Sequence, residues 1–339
     1  MSYKDVFFEL KKAMQTLNKK HTFEKFNSMN FFFLVDEHSK GIIVFNNQGL
    51  EDALSLTIYF GDKGINYLVD SYMSASGLLH NAVFADMIIL SLVKRKDLVA
   101  EDFAYYKKHK IRIAQENNLL ACEFKEGYAY QYLNLPRLRK VITYLYYLTS
   151  LIDNELEDIE DCFKEDKIVL AGFDTKNFLY EVKYTADVSL SKLPAFKRED
   201  HDFIEEYKET TYIDDVCYIG RYFEPVKEDT NLYYDTIFLA YYEKNGKQIM
   251  EKLSCKPHQF LEYSKGFLDS VFKEVGVPTR IVLNHRHMMS FLFKTLAELN
   301  IEVDFQREPA PLDSIFIDYI SQKLEEKEEG EKKTTVFVS

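Results

Sequence analysis

The sequence predicts a protein of the α+β / α/β class: an N-terminal α+β module with an antiparallel meander, and a C-terminal mixed sheet in the order β-β-β-α-β-α-β-α. Three observations carry this expectation. β-rich runs separated by turn residues fill the first half, apolar residues recur every three or four positions over 137–163, and three strand-like runs precede the first helical pattern of the second half. A chain of 339 residues has length for about two domains at ~150 residues each. They are placed at 1–190 and 210–326, followed by a charged tail at 327–339.

Residues 3–17 set Val6, Phe7, Leu10, Ala13, Met14 and Leu17 at helical spacing, an amphipathic opening helix. Strand runs follow at Phe31–Val35, Gly41–Phe45 and Leu54–Phe60. Asn46-Asn47-Gln48-Gly49 holds residues that tolerate φ > 0 and reads as a turn or bulge. After Gly61-Asp62-Lys63-Gly64, a helical pattern runs through Ile65, Leu68, Val69 and Tyr72, and Met87–Val93 is a further strand run. Over 137–163, Leu138, Val141, Ile142, Leu145, Leu148, Ile152, Leu156, Ile159 and Phe163 give the strongest helical signal, and Pro136 suits a first turn. Lys167–Phe173 and Phe178–Tyr184 frame a hairpin turn at 174–177. Periodicity is lost over Ser189–Tyr207, which sets the domain boundary near 190–209.

In the second half, Val216–Phe223, Thr236–Tyr242 and Gln248–Leu253 read as strands. The last two join through residues 243–247, where Asn245-Gly246 signals a type I′ hairpin. A helix follows with Phe260, Leu261, Phe267, Leu268, Val271, Phe272 and Val275 on its apolar side; Gly276 is its C′ residue, with Pro278 beyond. Ile281–Leu283 is a short strand, Met289 to Leu299 a second helix, Ile301–Phe305 the fifth strand, and Leu312 to Leu324 the last helix. The run Glu325–Lys333 predicts fraying into disorder.

Composition narrows the function. Lys+Arg 43 against Asp+Glu 55 gives a net charge of -12, which argues against a nucleic-acid or anionic-membrane binder, because phosphates demand clustered positive charge. The most apolar internal run, Met87–Val93, is far shorter than the ~20 residues of a membrane span. The start has no apolar signal-peptide core. Cys122, Cys162, Cys217 and Cys255 form no C-x-x-C pair and read as reduced thiols of a cytoplasmic protein. With no Trp but 27 Phe and 24 Tyr, aromatic packing must fill much of the core.

Four constellations invite a chemical reading. Gly61-Asp62-Lys63-Gly64 lies between strand and helix, where phosphates bind, but it lacks a P-loop and reads as a turn. Lys94, Arg95, Lys96, Lys107, Lys108, His109, Lys110 and Arg112 surround Tyr105 and Tyr106, a combination able to contact single strands; a solvated helix face is the favoured reading. Glu155, Glu157, Asp158, Glu160 and Asp161 lack the spacing of an EF-hand. Cys255 and His258 with His285 and His287 are a zinc set by residue type, but a 3-2-1-4-5 strand order separates the ends of the third and fourth strands by about three spacings of ~4.8 Å. No metal and no cofactor is expected.

The order of elements in the second half resembles ribonuclease H-like domains. Such nucleases hold two metal ions with acids from the first strand, the first helix, the end of the fourth strand and often the last helix. Here the first strand reads Val216-Cys217-Tyr218-Ile219-Gly220-Arg221-Tyr222-Phe223, with Asp214 and Asp215 only preceding it, and the fourth ends in Asn284-His285. Helix acids are Glu262, Asp269, Asp313 and Asp318. If the domain is an enzyme, the candidate catalytic set is Asp215, Glu262 and Asp318.

The whole chain also resembles an uncharacterised bacterial two-domain family, a domain of unknown function. The resemblance rests on Gly41-Ile42-Ile43-Val44, Gly49-Leu50-Glu51 and Leu56 to Gly64 in the first half, and on Gly276 to Leu283, Leu299 to Val303 and Pro311-Leu312-Asp313 in the second. Some similar proteins carry an added zinc-knuckle module, whose cysteines this chain lacks. The resemblance implies the two-domain architecture and no activity. The expected function is a cytosolic, non-catalytic binding or scaffolding protein with a protein partner. The alternative is a metal-dependent nuclease or nucleotide-processing enzyme.

Overall fold

Side chains alternate between the two faces of a strand, and that alternation fixes where every helix packs. The structure, a computed structural model, describes residues 2–46, 54–72, 86–173, 180–185, 201–224 and 233–336. The chain divides into two compact units. The N-terminal unit comprises Met1–Val69, Ala85–Lys125 and Tyr130–Ser191; the C-terminal unit comprises Asp70–Phe84, Glu126–Ala129 and Lys192–Ser339.

The N-terminal unit opens with α1 (Tyr3–Lys19). Ser2 caps it in a reciprocal box: its hydroxyl accepts from Asp5 N, and Asp5 accepts from Ser2 N. The six apolar positions expected to share a face are all buried. The short helix α2 (Thr22–Lys25) precedes β1 (Phe32–Asp36), β2 (Lys40–Asn46) and β3 (Leu54–Phe60). Then come α3 (Gly61–Tyr72), β4 (Met87–Val93), α4 (Ala100–Lys108), β5 (Asn118–Phe124), β6 (Gln131–Tyr132), α5 (Leu135–Lys164), β7 (Ile168–Phe173) and β8 (Tyr180–Thr185). The sheet order is β6-β5-β4-β3-β2-β1-β7-β8. All neighbours are antiparallel except β1 and β7. Helices α1 and α5 bury one face of this sheet, where Phe32, Phe45, Leu56, Ile58 and Leu90 meet Leu10, Leu138, Val141 and Leu145. Ile65 and Leu68 of α3 pack on Phe33, Ile42 and Val44 of the other.

The hairpin read from Lys167 to Tyr184 is more than a connection. Its first strand pairs with β1 and makes the sheet mixed. No strand signal marks β5, because Leu119-Leu120-Ala121-Cys122 carries no β-branched residue and no alternation, and β6 is only two residues long.

In the C-terminal unit, α6 (His201–Tyr207) precedes β9 (Ile213–Phe223), β10 (Thr236–Tyr242), β11 (Gln248–Leu253), α7 (Phe260–Glu274), β12 (Pro278–Leu283), α8 (Arg286–Glu298), β13 (Glu302–Phe305) and α9 (Ala310–Val336). The sheet order is β11-β10-β9-β12-β13, the expected 3-2-1-4-5. β9, β10 and β11 are antiparallel, and β12 and β13 run parallel to β9. Cys217, Ile219, Phe238 and Ala240 face α6, α7 and α8, whereas Tyr222, Ile237 and Leu239 face α9.

Four local readings change. Phe203 and Tyr207 of α6, in the stretch read as aperiodic, pack against Phe272. β9 begins at Ile213, so Asp214 and Asp215 lie inside the first strand. The β10–β11 hairpin is not type I′: Gly246 takes φ +70, but Asn245 stays outside the left-handed region, and Gly246 N bonds Tyr242 O instead. The charge run expected to fray is helical as far as Val336; Glu and Lys are strong helix formers, and Lys323 pairs with Glu326 one turn on. The turn expected at 47–49, the hairpin turn at 174–177 and residues 186–200 of the boundary lie outside the described residues.

Asp215 explains the hairpin loop. Its buried carboxylate accepts from Val216 N and Lys244 N at 2.8 Å and from Asn245 N at 3.3 Å. Asp215→Ala leaves those donors unmet and is expected to lower stability by about 1–3 kcal/mol in urea denaturation, with Asp215→Asn losing less.

Candidate functional site

The three candidate acids do not share a cleft. Asp215 is spent on the loop between β10 and β11. Glu262 is exposed on the first turn of α7, beside a cleft of about 100 Å³ that Phe203, Lys265 and Phe291 also line. Asp318 is exposed on α9. Because α7 and α9 cover opposite faces, Glu262 and Asp318 stand on opposite sides of the sheet.

The place where first strand, first helix and fourth strand converge holds a guanidinium instead. Alternation puts Arg221 on the face of Cys217 and Ile219, near the C-terminal end of β9. Its side chain is 1% exposed. One terminal nitrogen donates to Glu126 Oε1 at 2.7 Å, and the other to the carbonyl of Pro257 at 3.2 Å. The guanidinium lies 3.8 Å from the ring centre of Phe260, the first residue of α7, and 4.5 Å from that of Phe223. Nε has no hydrogen-bond partner. Burial presses the Arg221 pKa down, and the carboxylate of Glu126 opposes that pressure.

His285 completes the cluster. It is the N-cap of α8, and its Nδ1 accepts from Met288 N. The ring hydrogen therefore sits on Nε2, which donates to Glu126 Oε1 at 3.1 Å. Burial lowers the His285 pKa, against Glu126, and keeps the ring neutral. One carboxylate oxygen thus serves two donors. Glu126 reaches the cluster through Gly127, whose φ is +75 and where a Cβ would stand 2.6 Å from both the Phe223 ring and Pro257 Cγ. Only glycine fits there.

On the opposite face of β9, Tyr222 donates its hydroxyl to Asp313 Oδ1 at 2.8 Å. Asp313 lies in the first turn of α9. Its carboxyl is pushed up to about 6 by burial, with the Tyr222 hydroxyl opposing and Glu308 adding to the rise. Gly220 allows this close packing: a Cβ would meet the Tyr222 ring at 2.7 Å and Leu312 at 2.8 Å. Asn284, at the end of β12, accepts from Arg221 N at 2.9 Å and so stands beside both clusters. Asp313, not Asp318, is the last-helix acid at the mouth of the sheet. Its place next to Pro311 at the helix start was the signal that separates it from the mid-helix acids.

Of the other constellations, Tyr105 and Tyr106 are buried in the core and do not face solvent for base stacking. Cys255 is buried, and burial raises its thiol pKa. His287 packs its ring against that of His285. Among the described residues, no three His, Cys, Asp or Glu side chains are grouped to hold a metal ion. No family model matches the chain, and no curated protein matches it.

Removing Glu126 strands a buried cation. Glu126→Ala is expected to cost about 3–5 kcal/mol in chemical denaturation, and adding Arg221→Met to it is expected to recover part of that loss. The acid Asp313 sets a pH dependence. Its folded pKa of about 6 lies above the unfolded value of 3.8. Between those values the native state keeps a proton that the unfolded chain has released, so this group's stabilisation is full at the acid end and is lost as pH rises through about 6. Urea titrations across that window are expected to show the fall in the wild type and its absence in Asp313→Asn.

Proposed function

We propose that this chain is a cytosolic, non-catalytic binding or scaffolding protein whose C-terminal unit is a ribonuclease H-like fold used as an interaction surface. One observation carries the reading: the elements that bring carboxylates together in a two-metal nuclease here bring Arg221, with its single carboxylate already shared between two donors. A unit positive charge about 4 Å from a divalent cation is repelled by roughly 8 kcal/mol at an effective dielectric of 20. Glu126 is committed to Arg221 and His285, so a metal would have to displace the contacts that satisfy a buried charge.

The partner in this reading is a protein. Tyr263 on α7 and Phe293 on α8 are exposed by 44% and 49%. A protein partner would cover these two rings. The net charge of -12 disfavours nucleic acid. Four unpaired thiols support a reducing compartment. The whole chain is assigned to the bacterial two-domain family that its motifs resemble.

The test is thermal denaturation of the full chain with Mg²⁺, Mn²⁺, nucleotides and single-stranded oligonucleotides. The reading expects an unchanged midpoint with every one of them. A saturable rise with Mg²⁺ or Mn²⁺, accompanied by oligonucleotide cleavage, would replace it with the nuclease.

A further inference from the structure

The start of α5 is electrostatically inverted. The positive end of the helix dipole favours acidic residues, yet the first turn of α5 has none and carries Arg137. Lys140 follows one turn later, on the same side of the helix. Both line a cavity of about 140 Å³ in the N-terminal unit. That is about ten times the ~10–15 Å³ that admits one water.

The walls are apolar on one side and charged on the other. The ends of β3, β4 and β5 supply Ile58, Phe60, Met87, Ile88 and Phe124. Two carboxylates, Asp86 and Glu123, also line the cavity, but each is held by a cation. Asp86 pairs with Lys63 at 3.1 Å. Glu123 pairs with Arg137 at 3.0 Å and with Lys125 at 3.0 Å. Lys140 has no carboxylate partner among the described residues; its ammonium rests 4.5 Å from the centre of the Phe60 ring. Burial lowers its pKa, Arg137 adds to the lowering, and Asp36 opposes it. Three cations thus hold the two carboxylates, and the half-buried ammonium of Lys140 is left at a cavity that Phe60 and Phe124 also line.

We infer that this cavity binds a small carboxylate with a short apolar or aryl tail, its charge met by Lys140 and its tail packed among Phe60, Met87, Ile88 and Phe124. An anion there offsets the repulsion between Arg137 and Lys140 and complements the helix dipole, while the tail removes apolar wall from water. The same turn that opens α3, Gly61, borders the cavity, with φ +65. The cavity shares no residue with the Arg221 cluster.

Calorimetric titration of the full chain with benzoate, benzamide and inorganic phosphate tests this. Saturable one-to-one binding is expected for benzoate alone. Lys140→Met is expected to weaken it about tenfold or more, and Lys140→Arg to retain it. In the wild-type chain, which needs no variant to fold, the methyl resonance of Met87 is expected to move with benzoate, while that of Met14, in the buried core, stays in place. No saturable binding of benzoate, equal binding of benzamide or phosphate, or unchanged affinity in Lys140→Met would each overturn the inference.

Discussion

A charge withdrawn from water must be answered inside the protein, and in the C-terminal unit that requirement falls on Arg221. Its guanidinium is met by a carboxylate, a carbonyl and two aromatic faces. The four partners come from three stretches of chain: Glu126 from a short segment far away in sequence, Pro257 and Phe260 from the entry to α7, and Phe223 from β9 itself. Gly127 is glycine because Glu126 must reach that point past Phe223 and Pro257. His285 is held neutral by burial, and its tautomer is fixed by Met288 N on one ring nitrogen and the same carboxylate on the other. The local sequence around the sheet mouth is therefore explained by how one buried cation is satisfied.

Much of the architecture was legible in the residues. The apolar spacing of α1 and α5, the β-rich runs β1 to β4, and the alternation of strands and helices after Val216 all report burial directly. What was not legible has three causes. β5 lacks β-branched residues, α6 is too short for periodicity, and the parallel pairing of β7 with β1 is a long-range choice that no local window records. The candidate acids do not converge for a related reason. Asp215, Glu262 and Asp318 were matched by element, but strand alternation and helix placement decide which face a residue joins. The residues that do meet, Glu126 with Arg221 and His285, are separated by 95 and 159 positions.

The two units answer charge in opposite ways. Around Arg221 the accounting is internal, and the cation and its carboxylate leave no site open for a third charged group. At the start of α5, Lys140 has an aromatic ring beneath it and a cavity before it, and among the described residues it forms no ion pair.

The most direct test of the account is anomalous diffraction from crystals of the full chain soaked in Mn²⁺. The account predicts that density at the mouth of the C-terminal sheet shows the Arg221 guanidinium against Glu126, with no anomalous peak. A manganese peak coordinated by Glu126 and His285, with Arg221 displaced, would contradict it.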